Sequence, residues 1–216
     1  MAKQLDQILV IDIEATCWPG KAPAGQENEI IEIGICTVDV ASRRRLEKRS
    51  ILVKPERSRV SEFCTKLTTL TQEDVEQGIT FREACSILKK EYSSKKRLWA
   101  SYGDYDRRQF ERQCNARHIA YPFGPTHLNV KNLFALIYGL KKEVGMSKAL
   151  ELLALPLEGV HHRGGDDAWN IARVLCTILW ERAFDKVHES TLTDIKSYTC
   201  CAFNDKNIDT PNEFLL

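Results

Sequence analysis

The chain has 216 residues, enough for one domain with a sizeable core, and its 31 basic and 30 acidic side chains leave a net charge of +1. Net charge therefore announces no polyanionic partner. The eight cysteines are scattered with no C-x-x-C pair, which argues against a zinc or redox role, and no apolar run approaches the length of about 20 residues that spans a bilayer.

The opening "MAKQLDQILVID" enters a strand at once, so no signal peptide is expected. Without export, free thiols and a cytoplasmic location follow, or a nuclear one in a eukaryote. No function is built on the adjacent Cys200 and Cys201. "QILVIDIEAT" at Gln7 reads as a first strand and "NEIIEIGICTVDV" at Asn28 as a second. Between them Pro19, Gly20, Pro23 and Gly25 mark a loop. "RSILVKP", ending at Pro55, is a third strand, and connections this short imply an antiparallel meander.

Helical signals follow. Thr71 with Asp74 three residues on is a capping-box start that closes at Gly78, and "TFREACSILKKEY" has apolar residues at helical spacing. "RLWASYG" is a fourth strand, "DRRQFERQCNARH" a helix, and "THLNVK" a short strand. "NLFALIYGL" and "MSKALELLAL" are helices, and the last is "DDAWNIARVLCTILWERAF", with Ala168, Ile171, Ala172, Leu175 and Leu179 on one stripe. The tail after Lys196 is polar and irregular. A meander followed by alternating strands and helices is an α/β pattern: a mixed sheet covered by helices. Basic clusters at "SRRRLEKR", "SKKR" and Arg107, Arg108, Arg112 and Arg117 are solvated surface or nucleic-acid contacts.

Candidate chemistry begins in the first strand. Residues two apart in a strand share a face, so Asp12 and Glu14 project together while Ile11 and Ile13 face the other way. Two such carboxylates would repel unless something positive neutralised them, or the strand end simply emerges into solvent. Asp106 and Asp167 each sit where a loop or strand end enters a helix, a place where the macrodipole favours an acid. That position suits helix capping, and it equally suits ligands for a common site beside Asp12 and Glu14. Four acids of this kind fit magnesium or manganese, which prefer oxygen ligands. Spacing alone does not separate Asp104 from Asp106. Asp106 is favoured because it follows Tyr105, precedes Phe110 by four residues and lies nearer the helix start. His162 stands five residues before Asp167, with Gly164 and Gly165 between them. Beside a cation-activated water its imidazole becomes a natural general base.

A D-x-E strand, a distant Y-D entering a helix and an H-x-x-x-x-D entering another resemble the DnaQ-like DEDDh 3′–5′ exonucleases. The chain is similar above all to the enhanced-RNAi and histone-mRNA 3′ exonuclease group, through "DIEATCW", "NEIIEIG", "SEFCTKLTTLTQEDV" and "HRGGDDAWNIA" in that order. The resemblance runs from Ile8 to about Ala183 and implies a single exonuclease domain over residues 1–216 with a ribonuclease-H-like sheet, three strands of meander plus two more. It implies Asp12, Glu14, Asp106 and Asp167 as ligands of two magnesium ions, replaceable by manganese, with Glu14 and His162 catalytic. It also implies Glu14, Ala15 and His162 as contacts of the 3′-terminal nucleotide, and Phe63, Leu67 and Tyr105 around its base. For Phe63 and Leu67 ordinary core packing is the competing reading. The implied partner is a nucleic-acid 3′ end, RNA before DNA, single-stranded or an overhang, with no membrane. Animal members often carry a separate N-terminal RNA-binding module; none is expected from this sequence, so recognition of a particular stem-loop is not implied. Two alternatives stay open: an endonuclease on the same fold, which H-x-x-x-x-D disfavours, and a non-catalytic nucleic-acid-binding module, which five filled positions disfavour.

Overall fold

The computed structural model describes residues 4–180, so the residues around Ala183, the tail after Lys196 and Cys200–Cys201 lie outside the described residues. Five strands form one sheet in the order β3-β2-β1-β4-β5. β1 (Gln4–Ala15), β2 (Ile30–Asp39) and β3 (Arg44–Leu52) are the antiparallel meander; β4 (Arg97–Ser101) lies parallel to β1, and β5 (His127–Asn129) parallel to β4. The mixed α/β sheet expected from the sequence is present. β3 begins five residues before the expected Arg49, because its outer half, "RRLEKR", is a charged edge strand with little apolar signal.

Alternation along β1 divides the core. Leu9, Ile11 and Ile13 face a layer that includes Phe81, Trp99 and Phe110, supplied by α3 (Phe81–Lys90), β4 and α4 (Tyr105–Ala116), and Phe123 from the segment after α4. Ile8 and Val10 face the other layer, built by α5 (Val130–Ile137), α6 (Met146–Leu152) and α7 (Gly164–Trp180). Asp12 and Glu14 continue that second face past the end of its apolar cover. Leu150, Ile171 and Leu175 are wholly or almost wholly buried there. Each layer removes full aliphatic side chains from water, at about 1.5–3 kcal/mol apiece.

Two short helices link β3 to α3. α2 (Gln72–Glu76) carries the expected Thr71–Asp74 capping box. α1 (Glu62–Thr68) has no counterpart in the sequence reading; it is only seven residues long, and its start is fixed by Ser61, whose hydroxyl accepts from the Cys64 amide. α1 docks on the chain just beyond the D-x-E acids: Ser61 Oγ donates to the Cys17 carbonyl at 2.6 Å, and Cys64 Sγ to that of Ala15 at 3.5 Å.

The start of α7 sits directly on the sheet. A Cβ on Gly34 would lie 1.8 Å from the Gly164 carbonyl oxygen, so only glycine lets β2 and α7 approach this closely. Several basic side chains from the sequence clusters are already engaged. Arg45 pairs with Glu158 and Lys48 with Asp166, while Arg117 is buried among Glu27, Glu29 and Glu56. Among the described residues no helix is long and apolar enough to cross a membrane.

Candidate active site

The C-terminal ends of parallel β1 and β4 open onto a cavity of about 280 Å³, the usual position for a site in a sheet of this kind. Asp12, Glu14, Asp106, Asp167, His161, His162 and Tyr105 all line it. β1 outruns β4, since their pairing ends at Val10 with Ala100, and the Ile13 amide is left without a ladder partner on that side. Asp106 Oδ1 accepts that amide at 3.0 Å. The first turn of α4 is thereby tied between the two acids of β1.

Carboxylate oxygens of Asp12, Glu14 and Asp167 lie within 4.8 Å of one another. Asp106 joins them on the cavity wall. Asp104 does not. It is the N-cap residue of α4, makes no side-chain cap bond, and pairs with Arg107 at 3.4 Å.

The electrostatics follow from burial and like charge. Burial first, then Asp106, Glu14 and Asp167, push Asp12 well above the usual carboxylate range. Glu14 rises to about 8 through burial and the charges of Asp167, Glu32 and Asp106. Burial also lifts Asp106 to about 6, despite the amide of Ile13, and raises Asp167 despite its bonds from His161 and His162. The helix N-terminus does not keep Asp106 in the ordinary acid range, as the macrodipole alone would have it; desolvation outweighs it. A concave cluster of oxygen donors that resist ionisation together is suited to hard divalent cations, which relieve both the repulsion and the desolvation.

The "HHRGG" loop holds Asp167 from the other side. The His162 amide donates to Asp167 Oδ2 at 2.8 Å, and His161 Nδ1 lies 3.0 Å from both carboxylate oxygens. The two imidazoles stack at 4.0 Å between centroids. His162 has φ +64°, a left-handed conformation that is uncommon outside glycine and tends to be kept at functional sites. Burial and the neighbouring His161 hold its imidazole below the ordinary histidine value. Asp166 points away, pairing with Lys48 at 2.6 Å and accepting the Val160 amide at 2.8 Å.

The sequence reading missed a carboxylate behind the site. Glu32 is fully buried on β2, directly opposite Glu14, and its Oε2 accepts the Gly164 amide at 2.9 Å. Arg163 approaches the same carboxylate at 3.4 Å, and the Ser50 hydroxyl donates to it. Glu32 thereby anchors the loop that presents His162. Its signal lay in "NEIIEIG", where an acid interrupts an otherwise apolar strand. Tyr102, three residues before Tyr105, and Met146, from the start of α6, also line the cavity and were not foreseen. Phe63 and Leu67 are exposed on α1, at 41% and 38%, which removes the core-packing reading. Tyr105 is 55% exposed at the rim.

Without divalent cations this cluster makes stability depend on pH. The four acids have folded pKa values above their unfolded ones, so the folded state binds extra protons from about pH 4 to about pH 8, the Glu14 value. Stability is therefore full at the acid end of that window and lost as pH rises through it. Chelator-treated protein is expected to melt lower at pH 8 than at pH 5.5, by about 2–4 °C per kcal/mol lost. Millimolar magnesium or manganese should restore more at pH 8 than at pH 5.5. Differential scanning fluorimetry across this range checks it; equal metal stabilisation at both pH values would count against a buried, cation-seeking cluster.

Comparison with known proteins gives a consistent picture. A family model described as Exonuclease matches residues 9–175. The 3′-5′ exoribonuclease 1 of Rattus norvegicus is 31% identical over 209 residues, which cover 89% of this chain and 59% of the rat protein. The probable 3′-5′ exonuclease KapD of Bacillus subtilis is 27% identical over 165 residues, with 76% and 80% covered. Among solved structures, the nuclease domain of 3′hExo, a DEDDh family member bound to rAMP, superposes with a TM-score of 0.74 at 26% identity, covering 87% of this chain and 98% of that one. The chain thus spans about 59% of the length of the rat relative.

Proposed function

We propose, because this chain belongs to the exonuclease family matched over residues 9–175 and the family implies dependence on a divalent metal, that it is a 3′–5′ exonuclease releasing nucleoside 5′-monophosphates from RNA ends. The observation that carries the reading is the convergence of Asp12, Glu14, Asp106, Asp167 and His162 on one cavity. RNA is favoured over DNA because the similar rat protein is named an exoribonuclease and the similar nuclease domain is bound to rAMP.

Asp12, Glu14, Asp106 and Asp167 are assigned to hold two magnesium ions, for which manganese can substitute. When bound, such ions supply Lewis-acid polarisation of the scissile phosphate and a more acidic water. The side chains do the rest. His162 takes the proton of the attacking water on a ring nitrogen, helped by a depressed pKa that keeps it unprotonated at neutral pH. Glu32, through the Gly164 amide and Arg163, fixes the loop in which that ring stands. The terminal nucleotide lies along Glu14 and Ala15. Its base is held between the exposed apolar faces of Phe63 and Leu67 on one side and Tyr105 at the rim. The substrate in this reading is a single-stranded end or an overhang.

The test is a time course on 5′-labelled single-stranded RNA with magnesium, resolved nucleotide by nucleotide, with chelator as control. A ladder shortening from the 3′ end, 5′-monophosphate product and loss of both in chelator are expected. Undiminished cleavage in excess chelator contradicts the assignment of the four acids.

A further inference from the structure

The acid cluster does not use every donor at the mouth of the cavity. His161, His162 and Asp167 each offer a ligand atom, and these atoms lie within 4.8 Å of one another. This set shares only Asp167 with the trio of Asp12, Glu14 and Asp167, and it differs in kind. Oxygen donors suit magnesium and manganese. Two imidazoles with one carboxylate suit zinc and its neighbours, which bind nitrogen more strongly and accept three protein ligands with a water in the fourth place.

We propose that His161, His162 and Asp167 form a zinc site, filled in competition with the hard cations of the acid cluster, and that its filling arrests hydrolysis. Binding stands on the donor set alone; the arrest rests on the exonuclease reading above. Zinc there would claim Asp167 and the lone pair of His162 together. It would therefore remove a cation ligand and the proton acceptor in one step.

Three features of the loop favour the site. His161 is partly exposed, with 39% of its side chain open to solvent, so an ion can reach it. Its Nδ1 already sits within hydrogen-bond reach of both Asp167 oxygens, at 3.0 Å. The carboxylates of Asp12 and Glu14 stand beside the set without filling the imidazole positions. Zinc bonds of about 2.0–2.1 Å require ligand atoms roughly 3.4 Å apart, so the side-chain torsions must open the His161–Asp167 contact slightly and bring the wider gaps, up to 4.8 Å, inward.

The experiment uses zinc chloride and the full chain. Equilibrium dialysis in millimolar magnesium measures zinc bound by the unsubstituted protein, by His161→Gln and by Asp12→Asn. One equivalent of zinc is expected on the unsubstituted protein. His161→Gln should weaken it by at least the roughly 10–100-fold that even an outer-shell partner of a metal is worth. Asp12→Asn should retain it. The zinc concentration that halves each protein's own magnesium-supported rate should rise in His161→Gln by the same factor as its dissociation constant. Absorption bands of bound cobalt, changed in His161→Gln while the melting curve is not, separate a lost ligand from a lost fold. Zinc binding equal in His161→Gln and unsubstituted protein overturns the proposal, as does loss in Asp12→Asn matching that in His161→Gln. Absence of any magnesium-supported cleavage would sink the exonuclease reading instead and leave the zinc site to be decided by dialysis.

Discussion

Asp106→Asn is expected to lower turnover on RNA by about 10³-fold or more, while Asp104→Asn stays within a few fold of the unsubstituted protein. The two acids are two residues apart in "SYGDYD", and only their surroundings separate them. Asp106 is buried on the cavity wall with Oδ1 fixed by the Ile13 amide at 3.0 Å. Asp104 is 36% exposed at the helix start and pairs with Arg107. A cation at a reacting phosphate is worth several kcal/mol, and about 4 kcal/mol corresponds to 10³-fold. Asparagine keeps the size and can still accept the Ile13 amide, so the loss should not come from unfolding. Magnesium titrations of both variants decide the matter. An inactive Asp104→Asn beside an active Asp106→Asn would show that the wrong carboxylate has been chosen.

His162→Ala is expected to lose about 10²-fold or more in turnover and to keep its magnesium affinity. The second half of that expectation comes from the structure: the bond to Asp167 is made by the His162 backbone amide, which alanine retains. Because the residue has φ +64°, alanine costs stability there, and His162→Asn, which tolerates the left-handed region, serves as the companion variant. His161→Ala should lose far less, since the proton acceptor is the His162 ring. In the unsubstituted protein the activity should fall on the acid side, with a midpoint below the ordinary histidine value near 6.5, because burial and His161 lower the pKa of His162. The sign is fixed: the acting form is neutral, so activity is present above that pKa and lost below it. Equal losses in the two histidine variants, or an acid limb that survives in His162→Asn, would remove His162 from the role of base.

The legible parts of this protein were those with strong local signals. β1 and β2 announce themselves by isoleucine and valine, α2 by its capping box, and α7 by a stripe of apolar residues. Asp12 and Glu14 were visible because carboxylates break an apolar alternation. What was not legible is set by distant partners. α1 depends on Ser61 and Cys64 finding the Ala15–Cys17 backbone, and a seven-residue helix has little periodicity of its own. Phe63 and Leu67 read equally as core or surface, since their exposure is decided by how that helix docks. Glu32 looked like part of a strand, and its work on the Gly164 amide needs a contact 132 residues away in sequence. The charged half of β3 was invisible for the opposite reason: an edge strand in water needs few apolar residues, and its Arg45, Lys48 and Arg49 are spent on ion pairs.

The central claim is that the cavity works on a chain end, and one comparison tests it most directly. The same RNA sequence is supplied as a linear strand with a free 3′ hydroxyl and as a covalently closed circle, with equal magnesium and protein. The account predicts stepwise loss of nucleotides from the linear strand, with the circle intact over the same time. Cleavage of the circle at a rate like that of the linear strand would contradict it and assign the same acids to an endonuclease.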